Sequence, residues 1–369
     1  MKLVCSKSNL LNGVQIVSKA VPNKTTMSIL ECILIDASGG EIKLTANDME
    51  LGIETIIEGD IQEKGIIALD AKIFLEIVRK LPDNDIKIET DSNYKTTITC
   101  EKSKFNIIGK SGEDFSYLPQ IEKSESLVIS QFTLKEVVRQ TIFSIADNDN
   151  NKLMTGELFD ISGNKLKVVS LDGHRISIRN ILLKNSYEDK KVVVPGKTLN
   201  EISKILPGDA DRDVNIFFTP KHIVFEFDNT TVVSRLIEGQ YFNIEQMLSS
   251  DYETKVRINK KEFLNCIDRA TLLVKEGDKK PIIINIADNS MELKINSIIG
   301  SMNEDIDIEK TGKDMMIGFN PKFLIDALRV IDDEEINIYL VNPKAPCFIR
   351  DAEEKYIYLI LPVNFTTVN

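Results

Sequence analysis

Apolar residues recur at three- and four-residue spacing in six stretches of this chain, the period an amphipathic helix needs to bury one stripe. Three of them run over 9–20, 132–142 and 262–272, with Ser8, Ser130 and Asn259 near their starts as candidate caps. The other three follow strand ends. Leu69-Asp70-Ala71-Lys72, Val194-Pro195-Gly196-Lys197 and Phe319-Asn320-Pro321-Lys322 each lead into a helix. Leu69, Val194 and Phe319 lie 125 positions apart, and each precedes a lysine by three residues. A fixed period of this kind predicts repeated modules, here three, with expected bounds 1–122, 123–251 and 252–369.

Between the helices short stretches alternate in polarity, such as Glu41-Ile42-Lys43-Leu44-Thr45-Ala46, Lys165-Leu166-Lys167-Val168 and Met291-Glu292-Leu293-Lys294-Ile295. Turn signals including Ser162-Gly163-Asn164, Asp228-Asn229 and Asn342-Pro343 separate such strands. Alternation favours half-solvated antiparallel sheets over βαβ units. The expected fold is therefore α+β, three modules of paired helices on antiparallel sheets, joined by short segments at 119–125 and 247–253.

Composition narrows the function. A chain of 369 residues exceeds what one small core organises. No apolar run reaches membrane-spanning length and the first residues lack a signal-type apolar region, so a soluble, cytoplasmic protein is expected. Five scattered cysteines, two histidines and no CxxC suggest neither a disulfide framework nor a metal site. The glycines form no P-loop or Rossmann pattern, and no cofactor is implied.

A net charge of −11 argues against a generic nucleic-acid binder. The six helical windows nevertheless hold fifteen basic and seven acidic residues, a balance of +8 that leaves −19 for the rest. An acidic chain can thus carry a basic helical face suited to phosphate without reading sequence. Lys24, Lys72, Lys135, Arg139, Lys197, Lys204 and Arg269 are the candidate DNA-facing residues, with ordinary solvated charge as the competing reading of each.

Leu171-Asp172-Gly173-His174-Arg175-Ile176 resembles the T-D-G-H-R-L segment of the bacterial DNA polymerase III beta subunit (beta sliding clamp) family. Similar stretches follow in order: Val192-Val193-Val194-Pro195-Gly196-Lys197, Ser234-Arg235-Leu236-Ile237-Glu238-Gly239, Ile317-Gly318-Phe319-Asn320-Pro321-Lys322 and Tyr358-Leu359-Ile360-Leu361-Pro362-Val363. The resemblance implies a non-catalytic subunit of a DNA polymerase III holoenzyme, closing as a head-to-tail homodimeric ring on double-stranded DNA, with helices lining the hole. It also implies docking of the polymerase III alpha subunit, the clamp loader and other proteins through a short peptide. By motif that pocket involves Met154, Leu171, Gly173, His174, Arg175, Phe242, Met247, Asn320, Phe323, Leu361, Pro362 and Val363. Ring closure would involve Phe105, Ile107, Leu272 and Leu273, with Ile107 and Leu272 favoured over burial in their own modules. The chain departs from the family at Leu171, near Phe242, at Gln246 and in its six residues after Val363, which bears on peptide preference.

Two other readings compete. Asp172 and His174 suggest a carboxylate–imidazole pair, but no nucleophile accompanies them and an Asp-Gly pair is more often a turn. A clamp-like interaction scaffold that never encircles DNA is the serious alternative; the lysine repeated after each strand end favours a phosphate-facing lining.

Overall fold

The computed structural model describes residues 1–119, 121–123, 125–147, 151–248, 251–274 and 280–365. Parts of the expected joining segments, and the last four residues of the terminal stretch, lie outside these. Among the described residues, six α-helices are α1 (Lys7–Val17), α2 (Ala71–Lys80), α3 (Gln131–Thr141), α4 (Gly196–Ile205), α5 (Lys260–Thr271) and α6 (Pro321–Val330). Every strand pairing described is antiparallel, as the alternation predicts. The three-module α+β architecture stands.

The 125-residue period has a physical counterpart in each helix pair. Ala71, Gly196 and Pro321 are buried at the first position of α2, α4 and α6, whereas Lys72, Lys197 and Lys322 are exposed at the second. Phe74, Leu199 and Leu324 then bury the next turn. A lysine from the opening helix ties each pair: Lys7 donates to the Leu81 carbonyl, Lys135 to Leu206 at 2.9 Å and Lys260 to Ile331 at 2.6 Å. These carbonyls end α2, α4 and α6, where helical acceptors lack partners and the dipole favours a cation.

Caps follow the sequence in two cases out of three. Ser130 accepts from the Thr133 N–H at 3.1 Å and Asn259 from Glu262 at 3.0 Å. At α1 the cap is Ser6, which accepts from Asn9, and Ser8 sits inside the first turn. The helix begins at Lys7, three residues before its apolar stripe starts at Leu10, so the pattern places the cap too late.

The chain divides into two compact units, one of residues 1–135 and 197–236, the other of 136–196 and 237–369, so the middle repeat contributes to both. Sheet continuity explains this. In the first unit the strand Thr230–Arg235 pairs with Leu51–Ile57, joining strands of the first and second repeats in one eight-stranded sheet. In the second unit Tyr356–Ile360 pairs with the start of Arg175–Pro195, joining the second and third repeats in a seven-stranded sheet. Both junctions follow one rule. The last strand of one repeat adds to the third extended stretch after the opening helix of the repeat before it, Gly156–Leu171 counting as two because its register breaks around Gly163.

A third junction of that kind would need Ser301–Asp307 and Ser103–Ile108, which occupy the corresponding places in the third and first repeats. Among the described strands each has a single neighbour and stands at a sheet edge.

Candidate functional site

The Leu171-to-Arg175 segment is a turn built by its own side chains. Asp172 accepts from the backbone N–H groups of His174 at 3.0 Å and Arg175 at 3.1 Å, and Gly173 takes a left-handed φ of +83° that a side chain would strain. The second Asp172 oxygen takes Arg175 Nε at 3.0 Å. Asp172 thus serves the turn and Arg175, and the His174 ring stacks instead on Phe323, with centroids 5.9 Å apart.

Arg175 is 7% exposed and braces the site. Its Nη1 reaches Asp326 of α6 at 2.7 Å, its Nη2 donates to the Phe143 carbonyl, and the guanidinium lies 4.5 Å from the Phe323 ring centroid. With these donors engaged, its role is to hold the turn against α6. Asn320 likewise caps α6, accepting from the Lys322 N–H at 3.0 Å.

Beside this polar corner lies an apolar cluster that joins Met154, Leu171 and Phe242 to Leu158, Ile176, Val193, Ile244, Phe348 and Leu359. Leu153, Tyr241 and Leu248 pack on it as well, and Tyr241 meets Phe242 edge-on at 5.5 Å. Met247 is exposed on the turn Glu245–Met247, while Leu361 is exposed and Pro362 and Val363 are half-buried just beyond the last strand. The structure therefore brings Met154, Leu171 and Phe242 together, and separately His174, Arg175 and Phe323. Sequence reasoning missed Leu153, Tyr241 and Leu248, and the braces Phe143 and Asp326. Tyr241 and Leu248 flank expected residues and were within reach of the pattern; Phe143 and Asp326 join Arg175 only through the fold.

One acid near this cluster lacks any brace. Glu157 is fully buried on Gly156–Leu171, and neither carboxyl oxygen has a hydrogen-bond partner. The nearby Thr141 hydroxyl donates to the Val137 carbonyl at 2.7 Å. Burial pushes the Glu157 carboxyl up to about 8, so it carries a proton at neutral pH. A groove of 1070 Å³ opens elsewhere on the same hairpin, lined by Lys165, Lys167, Asp189 and Glu353 among others. Its charges are mixed and none of the expected pocket residues line it.

The expected DNA-facing cations divide in two. Lys24 and Lys72 are exposed. Lys197 pairs with Asp48, Lys204 with Glu201, Arg139 with Glu136 and Asp332, Arg269 with Glu304, and Lys135 ties its helix pair. At the expected closure surfaces Leu272 is 78% exposed, and Leu273 packs partly on the third-repeat core. Phe105 is exposed and Ile107 half-buried, whereas Ile108, which sequence reasoning passed over, is 83% exposed. A recess of 420 Å³ beside Phe105 is lined by Lys72, Ile73, Glu76, Ile77 and Lys80. On the third repeat Ile298 is 87% exposed and Ile299 is exposed with it at the hairpin tip before Ser301–Asp307.

Comparison with known proteins places these features in context. Residues 1–119, 128–243 and 245–364 match the family models for the N-terminal, central and C-terminal domains of the DNA polymerase III beta subunit. The chain is 32% identical to the beta sliding clamp of Staphylococcus epidermidis over 98% of its own length and 99% of that protein's. Among solved structures it is similar to a putative DNA polymerase III beta subunit from Eubacterium rectale, with 78% identity, a TM-score of 0.96 and coverage of 99% and 100% of the two chains. It is likewise similar to the DNA polymerase sliding clamp of Bacillus subtilis, at 34% identity, a TM-score of 0.95 and the same coverage.

Proposed function

This chain belongs to the beta sliding clamp family, the DNA polymerase III beta subunits, and on that premise we propose that two copies close head to tail around duplex DNA and keep a replicative polymerase attached to it. The observation that carries this reading is the unfilled third junction. Two equivalent strand pairings are complete within the chain, and the strands that would make the third, Ser301–Asp307 and Ser103–Ile108, are free edges. A second copy supplies each of these two edges with its missing neighbour, and the same exchange at the other end closes the ring with neither junction strand left unpaired.

Side-chain chemistry supports the same pairing. Residues 102–110 carry three lysines and no acid, and 301–307 carry three acids and no base. Opposite charge steers two such edges together and disfavours edge-to-identical-edge pairing. Leu272, Ile298 and Ile299 on one side, with Ile73, Phe105 and Ile108 on the other, supply the apolar centre such an interface needs.

The helices then present cations to the phosphates. Lys24 and Lys72 are directly available; Lys197 is held by the nearly buried Asp48 carboxylate, but the ion pairs of Lys204, Arg139 and Arg269 involve partly exposed side chains. Pairs of that kind contribute only about 0–1 kcal/mol, so phosphate can displace the carboxylates. Binding of this type is independent of sequence and permits sliding. The apolar cluster with its His174–Phe323 corner docks short peptides of the polymerase III alpha subunit, the loader and other replication or repair proteins, and Arg175 holds the two parts in register. The paired helix cations give the non-encircling scaffold its one argument, since they lower the charge free for DNA.

Light scattering on the purified chain tests the closure. We expect twice the 41.6 kDa chain mass, and a single chain mass for Leu272→Asp with unchanged far-UV circular dichroism. A monomeric wild type at micromolar concentration overturns the closure reading.

A further inference from the structure

The chain beyond its last strand makes a contact that the fold does not require. After Tyr356–Ile360 the backbone continues through Leu361, Pro362 and Val363 to Asn364 and Phe365. Two hydrogen bonds fix this segment: the Leu361 N–H donates to the His174 carbonyl at 2.9 Å, and the Val363 N–H to the Gly318 carbonyl at 2.8 Å. Those carbonyls belong to the two elements that frame the His174–Phe323 stack, the Asp172-Gly173 turn and the strand Met315–Phe319 that runs into α6. The segment therefore spans the corner of the pocket on two tethers. Pro362, between them, has no N–H to add a third.

Phe365 lies just past the second tether and is half-buried. Its ring rests on Gly318. A Cβ built on that glycine would stand 2.6 Å from Phe365 Cδ1 and 2.9 Å from the Val363 carbonyl oxygen, closer than side-chain carbons approach. Gly318 has no left-handed φ, so the requirement is for space alone. The glycine supplies the seat, and the ring fills it.

We infer that Gly318 and Phe365 form a latch that fixes Leu361, Pro362 and Val363 as one wall of the peptide pocket, which makes Phe365 a positioning residue for partner peptides. This rests on the peptide-docking reading above. A segment outside regular secondary structure frays unless something ties it down, and a wall that frays must be ordered again each time a peptide binds. Ordering it beforehand raises affinity without any contact between Phe365 and the ligand. The apolar cluster around Met154 and Phe242 fits a short peptide that presents apolar side chains.

The test uses the full chain and two readouts, fluorescence polarisation of a fluorescein-labelled Gly-Leu-Ser-Leu-Phe-Gly peptide and hydrogen exchange at the Leu361 and Val363 amides. Phe365→Ala is expected to weaken the peptide roughly three- to tenfold, the range for re-ordering one or two side chains on binding, and to speed exchange at Val363. Gly318→Ala should do the same by displacing the ring, and Phe365→Leu should restore most of the affinity. Solution mass and melting temperature of Phe365→Ala should match the wild type, which separates local positioning from general destabilisation. Unchanged Val363 exchange in Phe365→Ala overturns the latch, whatever the peptide does. Faster exchange with unchanged affinity overturns its positioning role. Absence of peptide binding by the wild type overturns the docking reading and, with it, this inference, while the exchange data still report whether the contact ties the chain end.

Discussion

The last strands of the three repeats occupy equivalent places and differ sharply in exposure. Tyr356–Ile360 is buried along its whole length and Thr230–Arg235 is buried at four of six positions, but Ser103–Ile108 has no buried residue. Their partners follow suit: Leu51–Ile57 is buried at five of seven positions, and Ser301–Asp307 at one. The difference does not come from the strands' own chemistry. Ser103–Ile108 carries Phe105, Ile107 and Ile108, enough apolar surface to pack. It comes from the lack, among the described residues, of a repeat before the first for Ser103–Ile108 to join. Lys104 is the one charge on that strand, and Phe105, Ile107 and Ile108 stay exposed or half-buried, as on a surface kept for a matching edge.

The same substitution on either side should break this comparison most visibly. Leu359→Ala empties a site within the filled second junction and should destabilise the second unit by about 2–5 kcal/mol. Ile108→Ala, at the free edge, should change the stability of the isolated chain by less than ~0.5 kcal/mol. Chemical denaturation of both variants at concentrations that keep the chain monomeric checks the contrast, and equal losses would remove the distinction between filled and free edges.

Association should respond in the opposite sense. Leu272→Asp puts a carboxylate at the centre of the proposed interface and should weaken dimerisation at least ~30-fold, the scale of a single interface hot spot, with little change in monomer stability. Sedimentation velocity over a concentration series reads this directly.

A pH effect sharpens the account of the second unit. The folded Glu157 carboxyl titrates at about 8, above its unfolded value of 4.5, so the native state holds more protons between those limits. Stability must then fall as pH rises through that window, from its full value below 4.5. Glu157→Gln keeps the shape without the titration and should flatten the decline between pH 5 and 8. Thermal melts of both proteins from pH 5 to 9 decide it; parallel curves would mean that the carboxyl finds a partner on ionisation.

The smallest expected effect is on rate. Lys102 and Lys104 face acids of the opposing edge in the closure proposed here, so raising salt from 0.05 to 0.5 M should slow association several-fold, since it shortens the screening length to roughly 4 Å. Dissociation should change less. Stopped-flow mixing of donor- and acceptor-labelled chains separates the two.

Much of this molecule was legible in its sequence because repetition exposes itself. The lysines at 72, 197 and 322, and the helices they begin, sit where periodicity placed them. The Asp172-Gly173 turn followed from turn chemistry, and the apolar cluster around Met154, Leu171 and Phe242 followed from the family resemblance. Strand neighbours across repeats were not legible, because alternation tells which face a residue takes and not which strand lies beside it. Charge was misjudged for a related reason. Arg139 meets Asp332 across 193 residues of sequence, and Lys135 is held by the Leu206 carbonyl, so a count of helix charges overstates the number that are free. Phe365 on Gly318 was beyond reach, since nothing in the sequence says that a segment beyond a strand returns to a particular glycine.

Encirclement is tested most directly by loading the protein with its cognate loader onto nicked circular DNA, washing in ~1 M salt, where phosphate contacts alone are screened, and then linearising the circle. An encircling ring stays on the closed circle and is lost from the free ends after cutting. Loss from both forms, with the loader shown to be active on a control clamp, would contradict encirclement and leave an interaction scaffold in its place.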